Sequence, residues 1–148
     1  MMMDLRELYQ EIILDHNRDP RNHRVMDNPT CQARGHNPLC GDKLTLYIRR
    51  VDGVIQDISF MGCGCAISQA SGSLMTEALK GKTEIQAHEI FERFHSMLTQ
   101  DHASTEGMDK LAVLAGVKAF PARVKCATLA WHTLEAALKQ DSSWVTTE

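Results

Sequence analysis

Three stretches far apart in the chain place thiols where a metal or a sulfur atom could be held: Asn37-Pro38-Leu39-Cys40-Gly41-Asp42, Met61-Gly62-Cys63-Gly64-Cys65 and Arg123-Val124-Lys125-Cys126. Zinc takes four tetrahedral ligands drawn from thiolate, imidazole and carboxylate, and thiolates also hold iron-sulfur clusters. Cys40, Asp42, Cys65 and Cys126 supply four such donors, with Cys63 as a neighbouring thiol. In Cys40-Gly41-Asp42 the glycine permits backbone angles barred to other residues, so two side chains can turn toward one ion. Gly62 and Gly64 are expected to do the same around Cys65. A helix N-terminus adds roughly half a positive charge, which favours thiolate over thiol at Cys65, if it begins a helix, and at Cys126.

The flanking elements offer a way to bring these stretches together. Leu5, Leu8, Tyr9, Ile12 and Ile13 recur at helical spacing behind Asp4, so residues 4–16 read as an amphipathic helix. The following segment, up to Asp42, is rich in Asn, Pro, Gly and charge and reads as loop with at most a short edge strand. Leu44, Leu46 and Ile48, then Val54, Gln56, Ile58 and Phe60, alternate with their neighbours in the period of two of strands. Asp52-Gly53 between them is a type I′ hairpin signal. In an antiparallel hairpin, the residue before the first strand and the residues after the second share an end, which sets Asp42 beside Cys65.

Beyond Cys65 the pattern turns helical. Ile67, Ser71, Leu74, Met75 and Ala78 share a face until Gly81. Thr83 and Gln86 fit a capping box ahead of Ile90, Phe91, Phe94 and Leu98. Residues 99–107 read as a connection, Leu111, Leu114 and Ala115 as a short helix, and Pro121 as the start of a last helix with Cys126 in or near its first turn. Neither repeats nor linkers interrupt the chain, so residues 1–148 are expected to form one α+β domain: an antiparallel sheet of about three strands with helices on one face.

The chain's 148 residues, 43% hydrophobic and 24% charged, fit a soluble globular protein. A net charge of -3 gives no general attraction to nucleic acid, and charges interrupt every apolar run near the N-terminus, so neither a membrane helix nor a signal peptide is read there. A cytoplasmic location follows as an expectation. Five cysteines, an odd number, then favour metal binding or thiol chemistry over disulfides.

NPLCGD, GCGCAIS with the following Ser71 and Met75, and RVKCATLAW together resemble the signature of the SufU branch of the IscU/NifU-like family of iron-sulfur cluster assembly proteins. The likeness spans nearly the whole chain. Two features lean toward that branch: an insertion around residues 96–118, and Lys125 where the scaffold branch has histidine before its last cysteine. A lysine ammonium has no lone pair for a metal, and Asp42 fits the vacancy. The resemblance implies zinc bound by Cys40, Asp42, Cys65 and Cys126. It implies a zinc-dependent sulfurtransferase in which Cys40 takes persulfide sulfur from a SufS-type cysteine desulfurase, freed by exchange of zinc ligands on docking, and passes it to the downstream assembly machinery. Arg123, matching the family's arginine before the last cysteine, is placed to orient Asp42 or stabilise a thiolate, a plain surface charge being the alternative. A different reading uses the same ligands as a scaffold for a transient [2Fe-2S] cluster. A structural zinc module and a cysteine hydrolase with a histidine base are further alternatives.

The remaining candidates have blander explanations. Cys40, Cys65 and Cys126 could be buried core thiols, and Asp42 a turn or capping residue. Cys63 reads as a bystander and Cys31 as an incidental thiol in a polar loop. His36 reads as a solvated loop histidine, and His132 as a surface or packing residue of the last helix.

Overall fold

The computed structural model describes residues 5–38, 41–100, 108–139 and 144–146. Its first helix, α1, runs Leu5–Arg18, and three antiparallel strands follow: β1 Cys31–Asn37, β2 Asp42–Val51 and β3 Val54–Cys63. Helices α2 Ala66–Leu79 and α3 Glu84–Thr99, a 3₁₀ segment Asp109–Ala119, helix α4 Pro121–Leu138 and a short β4 Trp144–Thr146 complete it. The sheet order is β3-β2-β1-β4. The expected α+β architecture is present, and β4 adds to it by pairing parallel to β1.

The hairpin forms where Asp52-Gly53 calls for it. Both residues have positive φ, 52° and 75°, the backbone a type I′ turn requires. Its strands are longer than the alternation alone indicates: β2 begins at Asp42 itself, and β3 continues to Cys63 opposite Lys43. The capping box is also real, with Thr83 Oγ1 accepting from the Gln86 N–H at 3.1 Å and Gln86 Oε1 accepting from the Thr83 N–H at 3.0 Å.

The region between α1 and the hairpin departs from the sequence reading. Cys31–Asn37 is a full strand, paired along β2 from Cys31↔Ile48 to Asn37↔Asp42, and interior to the sheet. Its inward positions are Cys31, Ala33, Gly35 and Asn37, small or polar residues that carry no hydrophobic signature. They are small because α4 lies almost on the strand. A Cβ at Gly35 would fall 2.2 Å from Thr133 Oγ1 and 3.0 Å from Leu129 Cδ1. Thr133 cannot easily give way, since its hydroxyl donates to the Leu129 carbonyl at 2.7 Å.

The helices pack on the face of the sheet that presents Leu46, Ile48, Ile58 and Phe60, all essentially buried. Phe60 fits against Gly72 of α2, where a Cβ would meet its ring at 3.1 Å. Trp131 of α4 stacks on Phe94 of α3 at 4.5 Å and donates its indole N–H to Ser71 Oγ at 3.2 Å. Ser71 in turn donates to the Ala127 carbonyl, so α2 is fastened to α4 at the level of the thiol-bearing turn. His16 fastens α1: it is 1% exposed, its Nδ1 lies 2.7 Å from Ser73 Oγ, and burial pushes it below the ordinary imidazole value, which keeps it neutral. Among the described residues, no helix is long and apolar enough to cross a membrane.

Replacing Gly35 by Ala forces α4 away from β1. Urea unfolding should show a loss of about 1–3 kcal/mol; an unchanged midpoint would mean that the helix can retreat without cost.

Candidate metal centre

The end of the β2–β3 hairpin, the start of α2 and the second turn of α4 meet at one point. There the ligating atoms of Asp42, Cys65 and Cys126 all lie within 4.8 Å of one another. Cys40, the fourth residue the sequence singles out, lies outside the described residues. Asp42 comes from the first position of β2, Cys65 from the N-cap of α2, and Cys126 from the sixth residue of α4.

Asp42 is 0% exposed. Its Oδ1 accepts the Cys65 backbone N–H at 2.8 Å and its Oδ2 accepts from Asn37 Nδ2 at 3.3 Å. Asn37 Nδ2 also lies 3.4 Å from Cys126 Sγ, so one amide spans the carboxylate and a thiol. The ladder explains the contact, for Asn37 and Asp42 are cross-strand partners at the last rung of β1 and β2. Sequence reasoning gave Asn37 no role. Its place at the head of NPLCGD was the available signal, and only the register of an unforeseen strand turns it inward.

The glycines act differently from the sequence expectation. Gly41 does have positive φ, 72°, as a sharp turn into Asp42 requires. Gly62 and Gly64 do not use the left-handed region; they supply room. A Cβ on Gly62 would strike the Lys43 carbonyl at 2.4 Å, and one on Gly64 would strike Asp42 Oδ1 at 2.3 Å.

The two thiols sit in different electrostatic surroundings. Cys65 caps α2 with extended backbone, leaving its side chain unused by the cap and the positive end of the helix beside it. Cys126 stands deeper than the first turn, fully buried, with its Sγ 3.5 Å from the Ala122 carbonyl, so the helix end acts on it less. Arg123 is exposed beside both sulfurs. The Cys65 sulfur, then that of Cys126, raises its guanidinium above the ordinary arginine value, because cation and thiolates stabilise one another.

The other sequence candidates lie elsewhere. Cys63 is exposed at the end of β3 and does not join the ligand group. Cys31 is buried in β1 at the Ile48 register, six residues along the strand from Asn37, and so is a core thiol where a loop thiol was expected. His36 is half-buried within β1 opposite Lys43, not in a solvated loop. His132 packs against rings of α3.

Residues 8–127 match the family model described as the NifU-like N-terminal domain. The zinc-dependent sulfurtransferase SufU of Bacillus subtilis is 37% identical over 139 residues, covering 93% of this chain and 94% of that protein. The iron-sulfur cluster assembly scaffold protein IscU of Thermotoga maritima is 37% identical over 140 residues, covering 95% and 99%. Among solved structures, SufU from Fervidobacterium islandicum superposes with a TM-score of 0.82 at 37% identity, over 86% of this chain and 94% of that one. A NifU-like N-terminal protein from Brucella abortus gives 0.80 at 25% identity, over 90% and 93%. With the sheet, the helices and the thiol-bearing turns of the same chain laid out above, the sequence and fold comparisons agree that it belongs to the IscU/SufU group of iron-sulfur cluster assembly proteins, the family of the NifU-like N-terminal domain.

Proposed function

We propose that the chain is a zinc-holding sulfur carrier in which Cys40, Asp42, Cys65 and Cys126 hold the ion and Cys40 accepts sulfur from the persulfide of a SufS-type cysteine desulfurase. The observation that carries this reading is the buried Asp42 carboxylate within 4.8 Å of two thiol sulfurs. A carboxylate removed from water is costly unless a positive charge accompanies it. A divalent ion shared with thiolates offsets that cost. The donor set suits zinc in kind and in size: Zn–S bonds of about 2.3 Å put neighbouring sulfurs about 3.8 Å apart, a small contraction from the present cluster. Bound zinc would supply the charge that keeps its thiols ionised and ties β2, α2 and α4 together.

The remaining chemistry is carried by side chains. Cys40 thiolate attacks the terminal sulfur of the partner's persulfide. One S–S bond forms as another breaks, the electron pair leaves on the partner's cysteine, and no net oxidation occurs. Arg123 lends positive charge beside Cys65 and Cys126 without blocking the site, since it is exposed. Asn37 fixes Asp42 and Cys126 relative to each other. Lys125, directly before Cys126, has no lone pair to compete as a ligand.

Relatives named as assembly scaffolds support a second reading, in which a transient [2Fe-2S] cluster is built as cargo on the same residues. One oxygen donor among thiolates would hold such a cluster loosely, as suits its release. Iron and sulfide in equal amounts in anaerobically prepared protein would favour that reading over the first.

Added to a cysteine desulfurase, the parent protein should raise the rate of alanine formation and Cys40→Ala should not; no stimulation by the parent, or equal stimulation by the variant, would remove the acceptor role. Gly64→Ala drives a methyl group into Asp42 Oδ1. Its zinc affinity, read by chelator competition, should fall about 10- to 100-fold, and its metal-free fold should lose about 1–3 kcal/mol in urea unfolding; an affinity equal to the parent's would mean that Asp42 does not hold the ion.

A further inference from the structure

Away from the thiol cluster, α3 and α4 bring together three imidazoles and two carboxylates for which sulfur transfer has no use. His88, Glu92 and His95 follow one another along a face of α3, and His132 and Glu135 lie one turn apart on α4. Phe91 forms the base of the group. Its ring stacks on His88 at 6.5 Å and on His95 at 5.9 Å, and meets His132 edge-on at 5.6 Å. His95 and His132 stand 5.9 Å apart between ring centroids, with their planes crossed at 74°. His88 lies between the carboxylates, its Nδ1 3.1 Å from Glu135 and its Nε2 3.6 Å from Glu92.

We infer that His95 and His132 form a second metal site, a two-imidazole clasp across α3 and α4 for a divalent ion of the zinc, nickel and copper group. The spacing is right for it. Two imidazoles bound to one ion at about 2.1 Å have ring centroids roughly 5 to 6.5 Å apart, depending on the angle between them. Crossed ring planes suit ligands that approach one ion from different directions. Both rings are half-buried, which limits the motion that binding must arrest. Burial, and then the neighbouring His95, lower the pKa of His132 against the opposing pull of Glu135, so a neutral ring with a free lone pair is its form at neutral pH. Stacking alone would be satisfied by any aromatic pair. Glu135, one turn beyond His132, acts on that ring electrostatically while its carboxylate contacts His88.

The class of ion follows from the donors. Imidazole nitrogen favours borderline ions over magnesium or calcium, which prefer oxygen. Among the described residues, three donor atoms within 4.8 Å occur at Asp42, Cys65 and Cys126 and not here. The second site therefore starts with two protein ligands and water, binds more weakly than the thiol site, and clamps α3 to the helix that carries Cys126.

Untagged protein, its thiol site first filled with one equivalent of zinc, can be titrated with Ni²⁺ by calorimetry, with Mg²⁺ as the hard-ion comparison. The parent should take up one further nickel and no magnesium. His95→Gln and His132→Gln should each weaken that uptake at least about tenfold, while His36→Gln leaves it unchanged. His95 sits at the edge of the helix pair, so its variant still decides the matter if His132→Gln loses its fold. No second nickel in the parent, or uptake by His95→Gln equal to that of the parent, would overturn the inference.

Discussion

A carboxylate with no exposed surface sits at the last rung of the β1–β2 ladder, and much of the molecule is arranged around it. Asp42 is out of reach of water, so its oxygens depend on protein donors or a cation. The Cys65 N–H takes one oxygen and the Asn37 amide the other. Those two contacts bind the start of α2 and the end of β1 to the same few atoms. Because Cys65 is both the N-cap of α2 and a candidate ligand, the hydrogen bond that holds Asp42 also fixes where α2 begins. A side chain on Gly64 would occupy the space the carboxylate needs.

The third contributor, Cys126, arrives by packing. α4 can approach β1 only because Gly35 offers no side chain, and it is held in register by Thr133, by Leu129 and by the Trp131–Ser71–Ala127 hydrogen bonds. The same close approach leaves Cys126 fully buried within reach of Asn37. Core and site are thus one construction: loosening α4 from the sheet would move a sulfur as well as expose apolar surface. Arg123, three residues earlier on the same helix, then faces the sulfurs from the solvent side, where charge can be neutralised without burying a cation.

Much of this was legible in the chain. Asp52-Gly53 and the alternation about it gave the hairpin, and the hairpin gave the proximity of Asp42 and Cys65. Thr83 with Gln86 and Pro121 marked helix starts that the structure contains. What stayed hidden has a common cause, which is that close packing favours residues with no pattern of their own. Cys-Gln-Ala-Arg-Gly-His-Asn reads as loop because its inward positions are small, and they are small because a helix lies on them. Gly62 and Gly64 looked like hinges and are clearances. Asn37 acquires its place from β-register, and the short β4 from a parallel pairing with β1, neither of which local periodicity encodes.

Whether one ion is held by these residues is open to direct measurement. X-ray absorption at the zinc edge of the zinc-loaded protein should show three sulfurs at about 2.3 Å and one oxygen at about 2.0 Å, from Cys40, Cys65, Cys126 and Asp42. A shell of four sulfurs, with Cys63 in place of the carboxylate, or one without sulfur, would contradict it.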